Sequence, residues 1–495
     1  MTTTITDLAR LGETTAALTH DEMGVLGKLV TQYSATLRRN RLRTFYFDGE
    51  HSLRTLGKLG MAMPPQIGKL ESVLGWPQKA VEVLDNRLEL QGFVAADQTE
   101  ADPSLEQIAV DNDLYTEASM AHTASMIHGV AFATIFAGDP TQGEPEVIIT
   151  TRSAEEATAL WSQRSRRVVA GMTVNSGLDG LESDQINLFL PDRVVSVWKE
   201  GNGLAVQRQE HALDRVPMVM LPYRPKLGKR YGASRITRAL MNLTDSAVRT
   251  LLRMEGTAEF FSFPQRWATG VAEEDFDDTF KTYLNRLLAL GADENGNQPK
   301  LGTFAAASPQ PHIEQLRAIA MLVAGETSIP VSYLGIIHDN PSSADAIRAA
   351  ESDLVKVAER AQSVYGAKWS EALRIAQHMR DGRADDSLDR LQAKWRDAAT
   401  PTKAADAQST MALVQAGVLP AQSEVTWEQL GYDPVTISRL KAANARQTMV
   451  DRMATLATGA QTERKVPVGI TQGDQPDTGD AAIPDSTQMD TDAVL

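Results

Sequence analysis

The chain has 495 residues, 42% of them apolar and 23% charged, with no cysteine and a formal net charge of −15. That length suggests about three domains around packed cores, and the missing cysteine removes disulfides, thiolate metal sites and cysteine nucleophiles together. The acidic balance argues against a protein that grips nucleic acid, because phosphate affinity rises with each Lys or Arg contact, but it allows one that nucleic acid slides past.

Residues 20–39 read as an amphipathic helix, with Leu26, Leu29, Val30, Tyr33 and Leu37 at helical spacing and Arg38 and Arg39 near its C-terminal end. Residues 69–90 read as a helix interrupted at Trp76-Pro77, and 114–128 as one ended by Gly129. From 130 to 221 short β-rich runs such as EVIIT, RRVVAGMTV, INLFL, RVVSVW and VPMVML alternate with Gly, Asp, Asn and Pro, the pattern of a meander. Helical spacing returns in 234–258, where Ile236, Leu240, Leu243, Ala247, Leu251, Met254 and Ala258 form one stripe. A β-like run, FFSFPQRWATG, follows, then a helix near 274–290 and a strand-like segment before Pro309. A helix over 312–324 is stopped by Pro330. Ser342-Ser343-Ala344-Asp345 is a capping-box pattern opening a long helix with Ile347, Ala350, Leu354, Val357, Ala361 and Val364 on one face, where Gly366 predicts a bend. Helices are expected at 401–416 and 434–455, and the Gly-, Thr- and Asp-rich last 35 or so residues are expected to be disordered.

The common catalytic constellations are missing. Gly291 to Gly296 has the spacing of a phosphate-binding loop, but Asn297 and Gln298 stand where Lys and Ser/Thr are needed. Asp293, Asn295 and Asn297 imitate a calcium loop that lacks its Gly and its closing Glu. His122 and His128 are six apart, the wrong spacing for a helical metal pair. The carboxylates Glu273, Glu274, Asp275, Asp277 and Asp278 read as a helix N-terminus complementing its dipole. No enzyme activity, metal or cofactor is expected.

Four segments, in order, carry a resemblance: FYFDGEHSL, GWPQKAVEVLDNRLELQGF, LPYRPKLGKRYGASRI and NPSSADAIRAAESDLVKVAERAQSVYG. Together they resemble landmarks of tailed-bacteriophage portal proteins of the SPP1-like group, across about residues 20–455. The resemblance implies a mainly helical α+β fold with wing, stem, clip and crown, built into a homomeric ring, usually a dodecamer, at one capsid vertex of the virion after assembly in the host cytoplasm. It implies passage for double-stranded DNA without sequence recognition. It also implies docking for the terminase large subunit and the head-to-tail adaptor, and contact with the major capsid protein and scaffold. Mapped here, 1–19 is an N-terminal arm, 20–225 the wing, 226–258 the first stem helix with its lead-in, and 259–311 the clip. The second stem helix is 312–328, the tunnel loop 329–341, the long wing helix and its return 342–400, the crown 401–460 and the acidic tail 461–495. Two other readings stay open, another phage head structural or morphogenesis protein and a hydrolase with an unfamiliar site.

Two sets of residues are candidates within that frame. At 100° per residue, Arg235, Arg238, Arg249 and Arg253 fall within about 60° of one another, roughly 150° from the apolar stripe. Such a line suits a solvated face, a DNA channel or the neighbouring subunit. In the tunnel loop, Tyr333, Ile336, Ile337, His338, Asp339 and Asn340 belong to a stretch without Lys or Arg, expected to be mobile and to brush DNA without electrostatic grip.

Overall fold

A computed structural model describes residues 18–50, 72–95, 103–175, 185–200, 203–262, 266–269, 300–303, 308–336, 344–399, 403–432 and 434–462. The expected helix at 274–290, the calcium-like and phosphate-loop-like segments, the acidic run 273–278, the Ser342-Ser343 cap and the tail from 463 onward lie outside them. The chain divides into two compact units, Met1–Ala399 and Thr400–Leu495.

The first unit begins with α1 (His20–Asp48), nine residues longer than expected at its C-terminal end. Thr19 caps it through a capping box with Glu22, and Gly49, at φ 73, ends it by returning its N–H to the Phe45 carbonyl. Helix α2 (Trp76–Asp85) starts at Trp76-Pro77. Proline is tolerated in the first turn, so the expected interruption is the helix start. Then follow β1 (Leu90–Ala95), α3 (Pro103–Asp111) and α4 (Leu114–His128), which Gly129 ends at φ 104.

The β-rich region forms two antiparallel sheets. One has the order β3 (Val147–Ser153), β2 (Val130–Ala137), β9 (Met218–Pro222). The other is a true meander of β4 (Ala157–Ser162), β5 (Arg167–Asn175), β6 (Gln185–Phe189), β7 (Arg193–Glu200) and β8 (Gly203–Glu210). Leu26, Leu29, Tyr33 and Leu37 of α1 pack on one face of the meander, against Met172, Ile186, Leu188, Val195 and Val197. Its other face meets Met218 and Met220 of β9 so closely that a Cβ on Gly171 would lie 2.2 Å from the Met218 sulfur.

Helices α5 (Arg238–Ser262) and α6 (Gln310–Thr327) are linked through the antiparallel pair β10 (Arg266–Thr269) and β11 (Lys300–Thr303). Helix α7 (Ala344–Asp381) then runs through the main core. Leu354, Ala358, Ala361, Tyr365, Trp369, Ala372, Leu373 and Ala376 recur at steps of three and four, all buried. Gly366 lies inside this helix for a packing reason: a Cβ there would meet the Trp395 indole nitrogen at 2.9 Å and Ala393 at 3.2 Å. Those residues belong to β12 (Leu391–Trp395), which pairs with β1.

In the second unit, α8 (Lys403–Gln415), α9 (Glu424–Gln429) and α10 (Pro434–Thr462) follow one another. Their buried side chains are few, Thr410, Thr426, Trp427 and Ile437 among them. No described helix is long and apolar enough to cross a membrane.

Candidate functional site

The two helices of the candidate stem are antiparallel: the start of α5 meets the end of α6, where Thr237 donates to Glu326 at 3.0 Å. Thr237 also caps α5, its hydroxyl accepting from the Leu240 N–H at 3.1 Å. Ile236, just before α5, and Leu240 and Ala247 of α5 join Ile319, Ala320, Val323 and Ala324 of α6 in the main core. The buried face of α5 is rotated from the expected stripe. Val248 and Leu252 are buried, while Leu243, Leu251 and Met254 are half-buried and Ala258 is exposed.

Three of the four expected arginines lie on α5. Arg238 and Arg253 are exposed, and the half-buried Arg249 donates to the Ser246 hydroxyl at 2.7 Å. Asp245 accepts from the Tyr46 hydroxyl at 2.9 Å, tying α1 to the helix. Burial, then this carboxylate, push the Tyr46 phenol up.

Arg235 corrects the expectation. It precedes the helix and is only 5% exposed. Its guanidinium donates to the Ala80 carbonyl, to the Thr327 carbonyl at 2.9 Å and to the Tyr223 hydroxyl at 3.2 Å. It pins the entry of α5 and the exit of α6 to α2 and cannot share an exposed line with the other three. The cap at Thr237 was the legible signal, since a residue two positions before an N-cap is not on the helix face.

The tunnel-loop expectation also changes. Residues 329–336 are a 3₁₀ turn, Val331–Leu334, closed by Gly335 at φ 84, with Ile329 and Leu334 buried and Tyr333 and Ile336 packed against the main core. The Tyr333 hydroxyl donates to Glu351 of α7, and Arg87 reaches both, with Glu351 at 3.2 Å and Tyr333 at 3.5 Å. Arg87 also donates to the Ala398 carbonyl at 2.7 Å. Sequence reading missed this Arg87–Glu351 bridge, because its partners are far apart in the chain and neither belongs to a motif. Ile337, His338, Asp339 and Asn340 lie outside the described residues.

His122 is buried between Tyr365, Trp369 and Trp395, its Nε2 accepting from the Trp369 indole at 2.9 Å. Burial lowers its pKa to about 3. His128 instead meets Glu155 at 3.1 Å and the Thr44 hydroxyl at 3.0 Å. The two rings serve separate packing contacts, and among the described residues no three His, Asp or Glu are grouped to hold a metal.

A helix, a two-stranded excursion and an antiparallel return helix, set on an α+β body, are thus present in the expected order. The family model described as "Phage portal protein, SPP1 Gp6-like" matches residues 27–433. The chain belongs to the phage portal protein family. A portal protein of Mycobacterium phage D29 is 32% identical over 431 residues, covering 84% of this chain and 86% of the relative. One from Mycobacterium phage L5 is 34% identical over 397 residues, covering 77% and 80%. Among solved structures, a chain from the neck of an empty GTA particle aligns with TM-score 0.42 and 14% identity over 74% of this chain and 91% of its own. A chain from the neck of a native GTA particle aligns with TM-score 0.39 and 14% identity, over 77% and 93%. The family match begins within α1 and stops just before α10, so it takes in α5, α6 and α7.

Proposed function

We propose that this chain forms the ring at one capsid vertex through which the genome is packaged and ejected, as a non-catalytic docking platform. The observation that carries this is the family match over 27–433, which spans the whole helix–hairpin–helix excursion. The terminase large subunit and later the head-to-tail adaptor dock on the clip, 259–311, and the major capsid protein and scaffold surround the ring during assembly in the host cytoplasm. Translocation draws on ATP hydrolysis by the separate motor, for which this chain is the platform. Each subunit contributes a formal charge of −15, so DNA in the ring meets net repulsion at long range.

Within that ring, Arg238, Arg249 and Arg253 face either the DNA or the next subunit, and the stretch 329–341 is the tunnel loop. Mass measurement and electron microscopy of the purified full chain test the reading. A closed ring with an axial hole, a dodecamer or near it, is expected; a chain that stays monomeric at micromolar concentration and physiological salt overturns it.

A further inference from the structure

Charge is segregated along the first unit. From Leu88 to Thr151 the sequence contains no lysine or arginine. The turn after β9 is the opposite: Arg224, Lys226, Lys229 and Arg230 surround Leu227, which is 86% exposed. The turn is closed by a Lys226–Lys229 backbone bridge. None of its four cations forms an ion pair among the described residues, in a chain of net charge −15.

These two regions sit at opposite ends of one helix. The basic turn is anchored at the C-terminal end of α4, where Tyr223 donates to the Gly129 carbonyl at 2.8 Å, and a Cβ on Gly232 would strike the same carbonyl. The acidic end surrounds the N-terminus of α4. Asn112, just before the helix, donates to the Val147 carbonyl at 2.9 Å and accepts from Ile149 at 2.7 Å. That contact ties the start of β3, which follows the turn carrying Asp139, Glu144 and Glu146, to the Asp111–Asp113 end of α4. Val110 is 59% exposed there, and Met120 lies nearby on α4 at 52%. Fifteen residues of helix span about 22 Å at 1.5 Å per residue, and the eight residues of β2, running back alongside, span about 26 Å. The basic turn therefore cannot reach the acidic end of its own subunit.

We propose that the Arg224–Arg230 turn docks on the acidic end of α4 in a second copy of this chain, Leu227 seating beside Val110 and its cations facing Asp111, Asp113, Asp139 and Glu144. A ring requires two different, complementary patches on each subunit, repeated head to tail, and these two patches are complementary in both charge and apolar content. The inference rests on the ring reading above. An exposed leucine at the tip favours a protein surface over a phosphate backbone, which would use the cations and leave the leucine in water.

The absence of cysteine from the chain permits a direct test. Leu227→Cys combined with Val110→Cys in the full chain should give, on mild oxidation, a ladder of covalent multimers on a denaturing gel that neither single variant gives. A disulfide needs Cα atoms within about 7 Å, so the bond cannot close inside one subunit. In parallel, Lys226→Glu with Lys229→Glu should weaken ring assembly about tenfold or more. Adding Asp111→Lys and Glu144→Lys should restore it. Rings without a ladder, and unmoved by charge reversal, overturn the docking and leave the ring reading standing; a parent that forms no ring overturns the ring reading itself. Reversed-charge rings that assemble normally but lose a labelled DNA duplex assign the turn to nucleic acid and overturn the docking.

Discussion

Glu22 is a carboxylate whose contribution to stability can be isolated. Its side chain is fully buried at the start of α1, facing Arg193 at 3.0 Å and Arg208 at 2.8 Å, with the Thr19 N–H donating to it at 2.9 Å. The Arg208 hydrogen bonds, helped by Thr19 and Arg193 and opposed by burial, hold its pKa down at about 2. Glu22→Gln removes the charge and leaves two guanidiniums around a neutral amide. Both arginines are partly in water, at 25% and 36% side-chain exposure, so the low end of the cost of breaking a buried pair applies, about 3 kcal/mol. With about 2.1 cal/mol/K of unfolding entropy per residue, a cooperative unit of Met1–Ala399 loses roughly 4 °C of melting temperature. Because the folded pKa lies below the unfolded value of 4.5, the unfolded chain binds the extra proton between pH 4.5 and 2. Stability from Glu22 is therefore complete above pH 4.5 and drains away as pH falls toward 2. Calorimetry of parent and variant at one fixed protein concentration should show the full gap at pH 7 and about 40% of it at pH 3. A gap of equal size at both pH values would refute the ionic account.

Arg235→Met strips three acceptors of their donor and should lower the unfolding free energy by about 2–3 kcal/mol, read as a lower denaturant midpoint at unchanged slope, with Arg235→Lys recovering less than half because an ammonium lacks the planar fork; an unchanged midpoint would contradict the buried placement. Gly366→Ala gains about 1 kcal/mol of helix propensity but drives a methyl into Trp395 and Ala393, so a net loss of about 1–2 kcal/mol is expected, and a rise in melting temperature would show that β12 yields freely. Arg249→Gln with Arg253→Gln tests the exposed face of α5: intact rings with altered DNA retention indicate the channel, rings that fall apart in high salt indicate the neighbour, and normal behaviour in both assays removes both roles.

Much of the chain was readable as pattern. The apolar spacing of Leu26 to Leu37 and the stop at Gly129 each act within a few residues, and the structure keeps them. The start of α2 was misread, and the close packing at Gly366 was not foreseen, because in both places a local rule has two meanings. Proline starts a helix as readily as it breaks one, and a helical glycine can mark a bend or a close neighbour. The candidate site was legible as a helix pair around a β insert, and only partly as residues. Arg238, Arg249 and Arg253 follow from periodicity, whereas Arg235 left their line because a cap two residues later starts the helix after it.

By itself the sequence determined the order of elements, the absence of thiol chemistry, the family resemblance and the segregation of charge, since all of these are written in composition and short-range spacing. Tertiary structure decided everything that depends on contacts between distant segments. It turned Arg235 inward onto Ala80 and Thr327, joined Arg87 to Glu351 and Tyr333, paired β1 with a strand nearly the whole unit away, and set the basic turn and the acidic end at opposite ends of α4. The physical reason is that a buried polar group must find its partner wherever the fold brings one. No local pattern carries the address of a partner hundreds of residues distant.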